Sequence, residues 1–379
     1  MAHRRVGQGG AKSSGRAVRK AGGTRAKSGP GSERIRAAER YLIHWLPRLE
    51  GEQVLVALSP ECQVAVAVAD QRPSAHVTCF FLDFPLAEFA RSTQAAGLEN
   101  IEVVCAADVP SKPYDLFLLP FPSHGDLELA RDLLEAGTAE VRDGGTVAVA
   151  VEIAGEKHLR EEMKKLFGHP QRHPIDDGVL YLATKSGPLK KRREFREDFG
   201  FRDGERLITG FSRPGLWSHR KLVGGIRPLL DKMEIGAGEK VLNPGCDVGA
   251  LALAAAQRAE GVKVVAVDSN PRAVECVMAA AAKHGLTNIE AHLASGRWTK
   301  ERGTFDVVVA CPPYMTNERV ADIFIDGAFE ALKPGGRVIL SSKHRVWYVD
   351  ELHRGFDDIQ VDEVREFNVI RAVKRGRGK

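Results

Sequence analysis

Residues 306–313 read D-V-V-V-A-C-P-P, and residues 115–122 read D-L-F-L-L-P-F-P. Each stretch is an acid, an apolar run of strand length and a proline-broken end. Downstream, L-K-P-G-G-R-V-I-L (332–340) answers V-R-D-G-G-T-V-A-V (141–149) at the same offset of 191 that separates Asp115 from Asp306. Upstream, G-L-T-N-I-E (285–290) repeats G-L-E-N-I-E (97–102) at an offset of 188, and Val241-Leu242 repeats Val54-Leu55 at 187. An ungapped 35-residue block flanked by blocks whose offset drifts slightly is the signature of a duplicated domain.

Within each copy, short apolar runs alternate with helical segments. In the second copy, Lys240–Leu242, Lys263–Val267, Ile289–Leu293, Asp306–Ala310 and Arg337–Leu340 read as strands. Ala250–Ala259 reads as a helix. Ser269-Asn270-Pro271 caps another, and Gly285 ends it. Runs apolar on both faces and separated by helices predict a parallel sheet covered on both sides. The fold class is therefore α/β, with two tandem doubly wound Rossmann-like domains. The boundaries follow from composition: a basic tail over 1–32, a first copy over 33–185, a charged connector over 186–205, a second copy over 206–370 and a basic tail over 371–379. After a cap at Ser32, a helix starting at Glu33 has the apolar spacing to pack on the first copy.

The net charge of +5 conceals a division. The first 32 residues carry eight Lys/Arg and no acid, and residues 371–379 carry five more, so the body between them is acidic by about eight charges. The first tail is rich in Gly, Ser and Ala and has too little apolar surface to offset its ordering entropy, so it is expected to be disordered. Arg/Gly tails suit phosphate backbones through counterion release. Lys190–Arg193 in the connector is a second basic run that could meet RNA. No apolar run approaches the ~20 residues of a membrane helix. The N-terminus lacks the apolar core of a secretory signal. Six cysteines, at 62, 79, 105, 246, 276 and 311, form no C-x-x-C pair and no Cys/His cluster, so a zinc site is not expected. They fit a reducing, cytoplasmic setting.

In doubly wound sheets, ligands bind beyond the carboxyl ends of the strands. The second copy places V-L-N-P-G-C-D-V-G-A (241–250) there, with Gly245 and Gly249 able to make a tight turn before a helix. Asp268 ends the next strand about 20 residues on, where a carboxylate can accept the two hydroxyls of a ribose. The corresponding stretch of the first copy, V-L-V-A-L-S-P-E-C-Q (54–63), has no glycine and leaves no room for a cofactor.

With the glycine turn, Asp268 and C-P-P-Y (311–314) together, residues 207–345 resemble a class I S-adenosylmethionine-dependent methyltransferase. More narrowly, residues 33–370 resemble the bacterial ribosomal RNA guanine-N2 methyltransferases. Those enzymes pair a cofactor-free N-terminal copy of the fold with an active C-terminal one. F-S-R-P-G-L (211–216) matches that family's lead-in to the catalytic domain. The resemblance implies S-adenosylmethionine as cofactor and ribosomal RNA or a ribosomal subunit as partner. It implies cofactor contacts from the turn residues Asn243, Gly245, Cys246, Asp247 and Gly249, from Asp268, and from Ser295-Gly296 near the adenine. It implies target-base contacts from Cys311, Pro312, Pro313 and Tyr314. In the family's Asn-Pro-Pro-aromatic motif, the Asn oxygen and a backbone carbonyl accept the N–H groups of the target amine, and the aromatic ring stacks on the base.

This sequence departs from that pattern. Asn243 stands in place of an acid, Asp247 in place of the middle glycine, Trp217 in place of an Asp, Gly296 in place of an Asn, and Cys311 in place of the catalytic Asn. Thiol sulfur is a weak acceptor. Loss of one good acceptor is expected to slow transfer by roughly 10- to 100-fold. Two other functions share the same residues: a non-catalytic RNA-binding or ribosome-assembly protein, and a methyltransferase for another planar amine such as a DNA base or a protein glutamine.

Overall fold

The structure, a computed structural model, describes residues 35–121, 126–153, 155–189, 192–294, 296, 298–299, 301–313 and 318–376. The tail over 1–32, Ser32, Glu33, Lys190, Ser295 and Tyr314 lie outside the described residues.

Seven strands make a first sheet: β1 (Gln53–Ala57), β2 (His76–Phe81), β3 (Ile101–Cys105), β4 (Tyr114–Phe121), β5 (Val141–Val151), β6 (Gln171–Ile175) and β7 (Gly178–Thr184). A hairpin follows, β8 (Glu197–Asp203) and β9 (Arg206–Ser212). Seven more strands make a second large sheet: β10 (Lys240–Pro244), β11 (Lys263–Asp268), β12 (Ile289–Leu293), β13 (Phe305–Ala310), β14 (Leu332–Ser342), β15 (Phe356–Val364) and β16 (Phe367–Lys374). The two sheets have the same order, β3-β2-β1-β4-β5-β7-β6 and β12-β11-β10-β13-β14-β16-β15. In each, five parallel strands are followed by an antiparallel pair. The duplicated doubly wound fold expected from the repeat is present.

Burial explains the pattern. β4 and β13 are apolar on both faces, and helices cover both sides of each sheet. Both sheets lie within one compact unit, Arg36–Lys379. The N-terminal helix, Ala37–Trp45, sinks Ala38, Tyr41 and Leu42 into the first core.

Two local expectations change. Glu197–Asp203 falls inside the stretch whose charge reads as a connector, yet it is a strand. Phe201 on it, with Ile208 and Phe211 on β9, joins the core of the second copy. The helix after the glycine turn is Ala250–Ala255, shorter than the apolar run. Beyond it Arg258 turns away to pair with Asp203 and to donate to the carbonyls of Leu230 and Met233. Asn270 caps the next helix, Pro271–Lys283, accepting the Arg272 amide at 2.9 Å.

Candidate active site

The glycine turn leaves β10 and is held against β11. Cys246 N donates to Val267 O at 3.0 Å, and Asp247 N donates to Asp268 Oδ2 at 2.9 Å. Gly245 and Gly249 have φ of 62° and 85°, the left-handed region that glycine enters freely. A Cβ on Gly245 would also meet the Phe324 ring at 3.3 Å, so a side chain there would close the space in front of the turn.

That space is a cavity of about 260 Å³, near the ~300 Å³ lower end of ligand pockets. Its walls bring together Gly245, Asp247, Asp268, Gly296, Cys311 and Pro313 from segments far apart in sequence. Val267, Trp298, Ile323 and Phe324 supply an apolar face, with Trp298 and Phe324 tilted against each other at 5.2 Å between ring centres. A larger cleft, about 860 Å³, lies elsewhere along Asp203, Glu239, Arg258 and Arg337, where those charges already pair with one another.

Several expected site residues stand off the cavity wall. Asn243 is 1% exposed, and its Nδ2 donates to Val309 O at 2.8 Å, so it ties β10 to β13. Cys246 is buried in the core, and burial pushes its thiol well up. Gly249 is a packing glycine, because a Cβ there would sit 2.9 Å from Val277 Cγ2. Pro312 is buried behind Cys311 and Pro313. The structure also brings to the cavity residues that the sequence reading does not place in the site, although it marks Trp217 as a departure after the 211–216 lead-in. Trp217, 59% exposed, stands at the cavity wall, as do Trp298 and Pro85. Pro85 comes from the first copy, whose Phe84 N donates to Ser269 O at 2.9 Å beside Asp268. Nothing local to Pro85 or Trp298 marks either as facing a site.

The electrostatics are those of an acidic pocket with an apolar face. Burial raises the carboxyl of Asp268, against the amides of Asp247, Asn270 and Ser269 that lower it. Burial pushes Asp247 up to about 6, opposed by Ser218 and assisted by the Asp268 charge. Cys311 is pushed up to about 11 by burial and is a neutral thiol at pH 7. Its Sγ lies 3.4 Å from Ser341 Oγ, whose own hydrogen goes to Gly225 O at 2.9 Å. The thiol hydrogen is therefore directed at Ser341, and Cys311 is not poised as a nucleophile.

The residues fit an adenosine-type cofactor. There is a glycine turn for close backbone approach, a carboxylate for ribose hydroxyls and an apolar face for a purine. A doubly wound sheet with this turn after β10, an acid ending β11 and a loop with two prolines after β13 is the arrangement expected of a class I S-adenosylmethionine-dependent methyltransferase, the class that the sequence resembles.

Within it, residues 208–371 match the family described as the methyltransferase small domain. The chain is similar to ribosomal RNA small subunit methyltransferase C of Escherichia coli O17:K52:H18, at 29% identity over 212 residues, or 54% of this chain and 60% of that protein. It is similar to the protein of the same name from Pseudoalteromonas translucida at 22% identity, covering 83% of this chain and 92% of the relative. The fold of the T. thermophilus 16S rRNA N2 G1207 methyltransferase RsmC, solved with AdoMet and guanosine, matches at a TM-score of 0.75 and 22% identity, over 89% of this chain and 92% of that one. The E. coli match thus takes in less than two thirds of that relative's length.

Proposed function

We propose that the protein transfers a methyl group from S-adenosylmethionine to the exocyclic N2 amine of a guanine in ribosomal RNA. The observation that carries this reading is that one cavity joins the Gly245 turn and Asp268 to Cys311 and Pro313 of the second copy. The printed names of the relatives support RNA as the substrate class. So do the basic runs over 1–32 and 371–379. A cytoplasmic protein with free cysteines accords with it.

When bound, S-adenosylmethionine supplies an electrophilic methyl group whose S–C bond breaks as the new N–C bond forms. The protein's task is to hold the two reactants in line, which supplies most of the rate. Asp268 would accept the ribose hydroxyls. The Gly245 backbone leaves room for the chain that carries the sulfur, and the Trp298–Phe324 face would take the purine. The amine is a poor nucleophile because its lone pair is delocalised into the base. The prolines fix the backbone at the cavity edge, where Pro313 stands, so that a main-chain carbonyl there would accept an amine N–H and free that pair. Cys311 adds little, because its sulfur is a weak acceptor with its hydrogen engaged by Ser341. After transfer the amine proton leaves to solvent. A guanine within paired RNA would have to be extruded to reach the cavity.

Calorimetry with S-adenosylmethionine tests the cofactor, and transfer of labelled methyl to ribosomal RNA from unmodified cells tests the substrate. The expected product is N2-methylguanosine in an RNA digest. Cofactor binding with no label in any RNA, but label in DNA or protein, would replace this substrate with another planar amine. No cofactor binding would leave a non-catalytic RNA-binding role.

A further inference from the structure

Residues 213–224 run along the cavity as a strap and line it with Trp217 and Val223. The strap is tied down along its length. Gly215 N donates to Asp126 Oδ2 of the first copy at 2.7 Å, Ser218 N to Asp247 Oδ2 at 2.9 Å, and Val223 N to Ser218 Oγ at 3.2 Å. Arg213 pairs with Asp108 and Glu275, His219 Nδ1 lies 3.0 Å from Ser212 Oγ, and Arg220 pairs with Glu128 and Glu197. Two side chains of the strap take no part in this anchoring. Trp217 is 59% exposed between the buried Leu216 and Ser218, and its indole has no ring contact or hydrogen bond among the described residues. Lys221 is exposed and has no ion pair or hydrogen bond among the described residues. Single exposed aromatics are ordinary on a protein surface. This one stands on an anchored backbone, at a cavity that also reaches Cys311 and Pro313.

A free indole face and an unpaired ammonium four residues apart suit a ligand that is flat at one end and anionic at the other. A nucleotide has both. Resting on the function proposed above, we propose that the strap takes hold of the target nucleotide: Trp217 stacks on the guanine at the cavity, and Lys221 receives the phosphate that joins it to the RNA chain. The cofactor's purine has its own apolar face in Trp298 and Phe324, whose rings already lean on each other, and that leaves the exposed indole to a second planar group. Stacking suits an extruded base, because every base offers a π-face once it has left its pair. Lys221 suits a phosphate because the chain around it is acidic, so its charge is a local exception in the body between the two basic tails. The ties of the strap to Asp126 and Glu128 give the first copy a part in this grip, since they set where the indole stands.

The test sets methyl transfer to ribosomal RNA from unmodified cells beside calorimetry with S-adenosylhomocysteine, on the full-length protein. Trp217→Ala should lower kcat/KM for the RNA by roughly 10- to 100-fold, the worth of one stacked base, and leave S-adenosylhomocysteine affinity within about twofold. Trp217→Phe keeps a stacking face and should stay within about fivefold of the unaltered protein, which a merely structural role would not predict. Lys221→Ala should make the fall of kcat/KM with salt shallower by about 0.7 to 0.9 in log–log slope, the share of one phosphate. Unchanged transfer in Trp217→Ala, or an equal loss of cofactor affinity, overturns the stacking role. An unchanged salt slope in Lys221→Ala overturns the phosphate contact. If the unaltered protein binds S-adenosylhomocysteine yet methylates no RNA, the proposed reaction fails, and tryptophan fluorescence with guanosine 5′-monophosphate decides on the strap. Trp217 is the exposed one of the four tryptophans, so quenching that Trp217→Phe abolishes upholds the grip. Absence of quenching overturns it.

Discussion

The two copies keep the same turn and use it differently. Leu58 and Cys62 have φ of 57° and 58°, and their counterparts 187 positions on, Gly245 and Gly249, have φ of 62° and 85°. The left-handed backbone persists in the first copy although neither residue is glycine, at a cost of roughly 1–2 kcal/mol each. What differs is what fills the turn. Cys62 is fully buried, Ser59 Oγ donates to Glu39 Oε1 at 2.6 Å, and Arg36 donates to the Leu58 carbonyl, so the N-terminal helix covers the turn. Phe81 ends β2 where Asp268 ends β11. Sheet topology carries the backbone path, and side chains decide whether a ligand can follow it.

The copies also reach into each other from equivalent positions. Pro85 of the first lines the cavity of the second. Its counterpart Arg272 points the other way: 1% exposed, it pairs with Asp132 at 2.6 Å and donates to Ala107 O at 3.0 Å in the first copy, and to Pro214 O at 2.8 Å. Arg213 with Asp108, and Arg220 with Glu128, add ion pairs across the same seam. The sharpest break of the comparison is Arg272→Ala, which strands Asp132 without its partner. We expect a loss of about 3–5 kcal/mol in urea unfolding. A loss below about 1 kcal/mol would mean that the copies are held together elsewhere.

Next in size is the difference between the two strand ends. Asp268→Ala should weaken S-adenosylhomocysteine by about 100-fold or more, since the ribose contacts proposed for its carboxylate would be lost. Phe81→Ala, although destabilising, should leave the affinity of the folded protein unchanged. If Phe81→Ala alone abolished binding, the first copy would be part of the pocket in more than its Pro85 edge.

Asp247 offers a gentler contrast in pH. Its folded carboxyl, at about 6, lies above the ordinary 3.8, so the folded protein holds that proton more tightly than the unfolded chain does. The resulting stability is present below pH 4 and is lost as pH rises through 6, by at most about 3 kcal/mol. Asp247→Asn should therefore match the unaltered protein near pH 4 and exceed it in stability at pH 7.5 in the absence of ligand. Asp268 and Asp83 titrate nearby in both proteins, so thermal unfolding of the pair across this range isolates Asp247. No widening of the gap between pH 4 and 7.5 would show its carboxyl to be better solvated than the turn implies.

How much of this was legible in the sequence follows from what each feature depends on. The repeat offset was enough to anticipate two like sheets, because strand order travels with the duplicated pattern. The Asn270 cap and the place of Asp268 depend on neighbours within a few residues, and both were readable. The β8 strand was hidden, because Phe199 and Phe201 alternate inside a segment dominated by charge, and only the pairing with β9 and burial on the second copy select the strand. Arg193, readable as part of a basic run that could meet RNA, is bound to Glu135 and Glu162 of the first copy. Pro85 and Trp298 meet the cavity through folding that brings distant segments together, and no local pattern encodes that; Trp217 had a signal, its place directly after the 211–216 lead-in.

The smallest effect is expected at Cys311, where the sequence departs most seriously from the motif it resembles. The thiol is neutral, its hydrogen faces Ser341 Oγ, and Gly225 packs so near that a Cβ there would lie 2.7 Å from Sγ. A group held this way contributes packing and little to the amine. Cys311→Ala should then change methyl transfer by no more than about threefold, since a weak sulfur acceptor is all that is removed. Cys311→Ser replaces the sulfur with a better acceptor in less volume, and an increase in kcat without a change in cofactor affinity would locate the amine beside position 311. A hundredfold loss in Cys311→Ala would instead make the sulfur a working acceptor or nucleophile, and its reading as a packing group would fall.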